Sequence, residues 1–189
     1  MAKLFFRYAA MNAGKSTALL QAAHNYEERG HRVRLFTALV DDRYGRGQIT
    51  SRLGPHREAE VFDGGTDFEA LLKAGTTDRA VACVLVDEAQ FLTAPQVWAL
   101  HRMAHVHDMP SICYGLRTDF RGELFPGSAA LLGLADELDE MRTICDCGRK
   151  ATMNMRVDAQ NRRVREGAQV EIGGNARYRA VCGRCFNLA

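Results

Sequence analysis

Apolar and polar positions along the chain fall into a repeating order. Lys3–Tyr8 is a short apolar run and predicts a buried strand. From Gly14 to Arg29 the spacing turns helical, with Leu19, Leu20, Ala23 and Tyr26 near one face and Gly30 as the stop. Arg32–Ala38 alternates about Val33 and Leu35 and predicts a second strand. Residues 41–58 are polar and glycine-containing and predict a long loop, a length that is usually functional or disordered inside a compact domain. Glu60–Phe62 fits a short edge strand, and Phe68–Lys73 a helix ended near Gly75. Ala80–Val86 is the clearest strand, a continuous apolar run of the kind covered on both faces of a parallel sheet. Pro95–His107 predicts a helix around Val97, Leu100, Met103 and Ala104. A strand at Pro110–Tyr114, a helix at Gly127–Ala135 and a strand at Glu137–Ile144 follow. This alternation predicts a doubly wound α/β domain over residues 1–143. From 144 to 189 the pattern changes. Met153–Val157 and Tyr178–Val181 predict two short strands around a polar loop, and four of the six cysteines gather there.

Composition narrows the class. At 189 residues the chain can bury one good core and carry a small appendage. A net charge of +2 offers no dedicated surface for nucleic acid or membrane, so neither is expected as a partner. No apolar run approaches the roughly 20 residues that span a bilayer. The first apolar run is too short for a secretory signal and contains Arg7. The expected location is the cytoplasm, where cysteines read as thiols or metal ligands rather than disulfides.

Candidate chemistry begins where the first strand ends. Ala9-Ala10-Met11-Asn12-Ala13-Gly14-Lys15-Ser16-Thr17 follows a strand and opens a helix, the layout of a phosphate-binding P-loop. Backbone N–H groups of such a turn meet the positive end of the next helix and favour an anion. Lys15 would reach the terminal phosphates, and the Ser16 hydroxyl would bind Mg²⁺. Ala9 stands where the usual pattern has its first glycine. Asp87-Glu88 closes the clearest strand, at the sheet end where open α/β folds place ligands. Asp87 suits a Mg²⁺ site, often through water, and Glu88 suits a general base on the group attacking the γ-phosphorus. Whether that group is water or a substrate hydroxyl is open at this point. Cys145-x-Cys147 and Cys182-x-x-Cys185 provide four ligands for a closed, structural zinc site, with Gly148 and Gly183 suited to knuckle turns. The loop between the pairs, closing on Ile172-Gly173-Gly174, is either a lid or a plain hairpin tip. Cys83 and Cys113 read as core residues. His101, His105 and His107 read as a solvated face, Arg162, Arg163 and Arg165 as a solvated loop, and Trp98 as packing or a subunit contact.

Taken together, these stretches resemble the thymidine kinase family of bacteria and the animal cytosol. The resemblance rests on the P-loop, Asp41-Asp42-Arg43-Tyr44-Gly45, Val86-Asp87-Glu88-Ala89-Gln90-Phe91 and Gly115-Leu116-Arg117-Thr118-Asp119-Phe120. The four cysteines and Ile172-Gly173-Gly174 with Tyr178 complete it. It implies a RecA-like P-loop NTPase fold with a zinc-ribbon-like lasso domain over residues 144–189. It also implies ATP-dependent phosphorylation of the 5′-hydroxyl of thymidine or deoxyuridine. By the same resemblance Glu88 is the catalytic base, and Lys15, Ser16, Asp87 and Gln90 serve ATP and Mg²⁺. Asp41 and Arg43 approach the phosphates. Met11, Phe91, Leu116, Phe120 and Tyr178 line the base, and lasso backbone from Val170 through Gly174 reads the pyrimidine edge. Members are commonly homotetramers. The C-x-C pair is one residue shorter than the more widespread C-x-x-C. Two other readings fit part of the sequence. A nucleic-acid-stimulated ATPase would use Asp87-Glu88-Ala89-Gln90 as a helicase box, but the chain lacks a second motor domain and a basic track. A zinc-stabilised binding module without catalysis is at odds with the intact acid pair.

Overall fold

The computed structural model describes residues 1–41, 45–74, 80–170 and 177–189. Strand β1 (Leu4–Ala9) leads through a turn into helix α1 (Lys15–Glu27), which stops at Gly30 with φ 77°. Strand β2 (Arg32–Ala38) follows, then β3 (Gln48–Thr50), β4 (His56–Glu58), β5 (Glu60–Phe62) and helix α2 (Phe68–Ala74). Next come β6 (Val81–Val86), a 3₁₀ turn at Ala89–Phe91 and helix α3 (Ala94–His107). Strand β7 (Ser111–Leu116), helix α4 (Pro126–Leu134) and strand β8 (Glu137–Glu140) complete the main sheet region. Local signals set the helix start at α3. Thr93 and Gln96 form a reciprocal capping box, and Pro95 sits in the first turn where no N–H is needed.

Six strands make one parallel sheet in the order β5-β2-β6-β7-β1-β8. Side-chain alternation divides its two faces. Leu4, Phe6, Val84 and Val86 pack with Leu72, Val97, Leu100 and Leu131 of α2, α3 and α4. Leu35, Cys83, Leu85 and Tyr114 pack with Leu19, Leu20 and Ala23 of α1. The α/β layering expected from the alternation is therefore present. Strand β7 lies between β1 and β6, so the P-loop strand and the acid-bearing strand are not neighbours. Edge strand β5 is held to β2 by the buried Arg34, which pairs with Glu60 (Nε to Oε1 2.7 Å).

Three local expectations change. The 41–58 loop contains a β3–β4 hairpin turned at residues 51–55, with Ile49 and Ser51 buried against α1. Three-residue strands of mostly polar side chains leave no readable period. Strand β8 stops at Glu140, short of Ile144, because its partner β1 turns away into the P-loop after Ala9. In the last segment, β9 (Met153–Val157) and β11 (Tyr178–Val181) pair as expected, and β10 (Arg163–Val164) joins from within the polar loop. A short helix α5 (Gly183–Leu188) ends the chain. Gly183 opens that helix instead of making a left-handed knuckle, whereas Gly148 does turn left-handed at φ 82°. No helix among the described residues is long and apolar enough to cross a membrane.

Candidate active site

The turn after β1 is built from two left-handed residues, Asn12 (φ 63°) and Gly14 (φ 77°). Ala9 instead continues ordinary strand backbone, paired with Leu116. Alanine therefore meets no conformational demand for glycine there. The Lys15 ammonium donates to the Ala10 carbonyl at 3.0 Å, which folds it across the turn. The Ser16 hydroxyl donates to Asp87 Oδ2 at 2.7 Å, linking α1 to the end of β6. Thr17 Oγ1 meets Ser51 Oγ at 2.7 Å, so the β3–β4 hairpin closes over the helix start. Residues 11–17, the hairpin tip 50–53, Glu88 and Leu116 enclose a cleft of about 480 Å³. Its lining includes Lys15 and the start of α1, the features that favour an anion at a helix N-terminus.

Two acids face each other's charge at the end of β6. Burial pushes Asp87 up to about 7, and the neighbouring Glu88 charge adds to this. The Ser16 hydrogen bond, the Glu88 amide and Lys15 oppose the shift. Glu88 sits in the left-handed region at φ 52°, ψ 38° without being glycine. Such a residue costs about 1–3 kcal/mol and persists only where surroundings enforce it. Glu88 is half-buried and lines the cleft. Gln90 donates through its side-chain amide to Glu88 Oε2 and accepts from the Leu116 amide at 3.0 Å.

The residues expected around a base fall into three groups. Met11 and Leu116 line the same cleft as Glu88. Phe91 and Val170 line a separate cavity of about 410 Å³ with Leu39, Val40 and Phe62. Phe120 and Tyr178 both contact Arg156. The guanidinium stacks 3.8 Å from the Phe120 ring centre and donates to the Tyr178 hydroxyl at 2.8 Å. Phe120 is thereby fully buried. Asp41 is half-buried just past β2, its amide donating to Ala38 O at 3.0 Å. Arg43, Ile172, Gly173 and Gly174 lie outside the described residues.

The four cysteines converge although 35 residues separate the pairs. Their sulfurs all lie within 4.8 Å of one another, with Cys147 Sγ 3.5 Å from Cys145 and 3.6 Å from Cys182. Tetrahedral zinc with bonds of about 2.3 Å requires sulfur separations of about 3.8 Å, so the set fits that ion. The Cys185 amide and neighbouring thiols draw Cys182 down to about 6. Hydrogen bonding of the Cys185 thiol with Cys147, Cys182 and Cys145 pushes it up to about 12, with burial and the Cys145 charge adding to the rise.

Other sequence features find structural partners. His105 Nε2 lies 3.1 Å from Asp136 Oδ2, an acid anchored by the Leu4 amide, so this histidine is more than a solvated face. Arg162 pairs with Asp158, Arg163 stacks on Phe186 and Arg165 reaches the Ala189 carbonyl, so the basic run ties its loop down. Trp98 is half-exposed and edge-on to His101.

Asn154 and Arg156 escaped the sequence reading, as did the hairpin tip at Ser51–Leu53. Asn154 is buried on β9. It accepts from the Met11 amide at 2.7 Å and donates to the Thr118 carbonyl at 3.1 Å, joining the P-loop, the loop after β7 and the cysteine-tied unit. An asparagine in a five-residue strand carries no signal of that role. Only a polar residue at an inward strand position hints at it.

Comparison with known proteins gives a consistent result. The family model described as thymidine kinase matches residues 2–186. A thymidine kinase of Chromobacterium violaceum is 63% identical over 187 residues, covering 99% of each chain. One of Novosphingobium aromaticivorans is 58% identical, covering 100% of this chain and 98% of the relative. One of Idiomarina loihiensis is 56% identical with the same coverage.

Proposed function

The chain belongs to the thymidine kinase family, and on that premise we propose that it transfers the γ-phosphoryl group of ATP to the 5′-hydroxyl of thymidine. Deoxyuridine is taken as a second substrate. The product is a nucleoside monophosphate for DNA precursor salvage. The observation that carries this reading is a single cleft. It is lined by a P-loop turn and by Glu88, itself in a left-handed turn, with Ser16 bonded to a buried Asp87.

Phosphoryl transfer asks for positioning and charge neutralisation more than covalent chemistry. The P-loop amides and Lys15 receive the ATP phosphates. Glu88 takes the proton of the 5′-hydroxyl as that oxygen bonds to the γ-phosphorus. The bond from phosphorus to the bridging oxygen breaks and ADP leaves. Ser16 and Asp87 offer a hard-oxygen pair suited to Mg²⁺, which when bound neutralises phosphate charge. Asp41 and Arg43 complete the donor side of the reading.

On the acceptor side, Met11, Phe91, Leu116, Phe120 and Tyr178 surround the base. Backbone at Val170 and Ile172–Gly174 hydrogen-bonds the pyrimidine edge. The division into a donor domain, 1–143, and a zinc-tied lasso, 144–189, follows this logic, with Cys145, Cys147, Cys182 and Cys185 holding one structural Zn²⁺. A lid over the base excludes water and limits wasteful ATP hydrolysis. The Asn154 bridge supports such closure, because it fastens the lasso to the P-loop. A homotetramer acting in the cytoplasm without nucleic acid completes the proposal, and the half-exposed Trp98 offers apolar surface for a subunit contact.

The test is purified protein with Mg-ATP and a panel of nucleosides, following nucleotide products and ADP together. Thymidine and deoxyuridine should yield monophosphate with one ADP each. ADP released only with DNA or RNA would sink the reading.

A further inference from the structure

We propose that Gln90 is a positioning residue for Glu88, acting through that carboxylate and not on the nucleotide. This rests on the kinase reading above. Gln90 is buried at 1% exposure, and it does not line the cleft that Glu88 and Leu116 share. Both ends of its amide are used. The NH₂ donates to Glu88 Oε2, and the oxygen accepts from the Leu116 amide at 3.0 Å. The amide thus spans from the end of β7 to the base.

The surroundings fix the span. Glu88 occupies a left-handed conformation that a glutamate does not choose by itself. A glutamate has several rotamers, and a base that wanders among them loses the benefit of orientation. The backbone packs unusually close around Gln90. A Cβ on Gly115 would stand 2.9 Å from Gln90 Oε1 and 3.0 Å from the Gln90 backbone nitrogen. A Cβ on Gly127 would stand 2.6 Å from the Ala89 and Leu92 carbonyls and 2.8 Å from that of Gln90. The Ser128 hydroxyl donates to the Leu116 carbonyl at 2.5 Å, so α4 also pins the strand end that anchors the amide. Strand end, helix start and 3₁₀ turn therefore form a rigid seat with one mobile-by-nature side chain, Glu88, held at its rim.

The test compares steady-state kinetics of Gln90→Met, Gln90→Glu, Glu88→Gln and the double variant Glu88→Gln/Gln90→Met. Gln90→Met keeps length and burial and removes both hydrogen bonds. Gln90→Glu keeps shape and the acceptor for Leu116 but cannot donate to Glu88. Loss of a hydrogen bond to a charged group predicts a drop in kcat of about 30-fold. KM for ATP and for thymidine should stay within about twofold, since an interaction on the base alone leaves ground-state binding untouched. The double variant should be no slower than Glu88→Gln, because a residue that acts only through Glu88 has nothing left to act on. Gln90→Glu should lose at least as much as Gln90→Met, and it carries the test if Gln90→Met does not fold. Unchanged kcat, a raised KM for ATP with kcat kept, or additive losses in the double variant would overturn the proposal. Absence of thymidine phosphorylation by the unmodified protein would instead refute the kinase reading, before any variant is compared.

Discussion

Two glycines in one helix should respond to the same substitution with opposite sign. In the interior of a helix, glycine to alanine is worth about 1 kcal/mol of stability, because alanine loses less backbone entropy. Gly133, near the end of α4, has nothing within 4 Å of where a Cβ would stand, so Gly133→Ala should stabilise the protein by about 0.5–1 kcal/mol. Gly127, in the first turn of the same helix, would place its Cβ 2.6 Å from two carbonyl oxygens and 2.8 Å from a third. All three belong to backbone, so no side chain can swing aside. The helix or the 3₁₀ turn must shift, at an overpacking cost of about 1–3 kcal/mol that exceeds the propensity gain. Gly127→Ala is expected to destabilise by about 2 kcal/mol. At this chain length that lowers Tm by about 4–8 °C, while Gly133→Ala raises it by a few degrees. Thermal and urea unfolding at fixed protein concentration reads both. The displaced turn carries Glu88 and Gln90, so Gly127→Ala should also lower kcat, and Gly133→Ala should leave it alone. A Gly127→Ala protein as stable as its parent, or more so, would refute the packing argument.

Four further outcomes are expected. Glu88→Gln should lower turnover about 10²- to 10⁴-fold with ATP binding largely kept, read by single-turnover assay and titration; near-normal turnover would remove Glu88 from the role of base. Metal analysis should find about one zinc per chain, and strong chelators should melt the β9–β11 unit; a folded, fully active protein free of zinc would refute the site. Asn154→Ala leaves the Met11 amide and the Thr118 carbonyl without their partner. It should cost about 2–4 kcal/mol in urea unfolding and raise KM for both substrates; a cost under about 0.5 kcal/mol would show the bridge to be dispensable. Burial pushes the Cys83 thiol up to about 11 and the Cys113 thiol higher still, so both stay protonated at pH 8. After zinc removal, alkylation should reach the four cysteines of the melted unit and spare these two in the intact main sheet, and labelling of either at a comparable rate would contradict their burial.

The order of strands and helices was legible because each element is long enough to show its period. Val81–Val86 reads as a doubly covered strand from its apolar run alone, and Lys15–Glu27 as a helix from its spacing and its Gly30 stop. Chemical candidates were legible wherever residue type and local spacing already imply a ligand. Gly14-Lys15-Ser16 needs only its own turn, and each cysteine pair is visible in its own spacing. The β3–β4 hairpin was hidden, because three-residue polar strands are held by pairing and by Ile49, not by any pattern of their own. Asn154, Arg156 and Gln90 were hidden as structural agents for a related reason. Their partners lie 143, 22 and 26 residues away, and a hydrogen bond across such distances leaves no periodic trace.

The sequence by itself determined the P-loop turn, the acid pair, the four-cysteine cluster and the layering of helix on parallel sheet. These depend on side-chain chemistry and on the 3.6- and 2-residue periods of the backbone. Tertiary structure alone decided that β7 would lie between the P-loop strand and the acid strand. It also bent Glu88 into a left-handed turn above Gln90, and it let Asn154 fasten the cysteine-tied unit to the phosphate-binding turn. Each of these outcomes is a contact between distant segments. Its energy exists only once the sheet has brought those segments together.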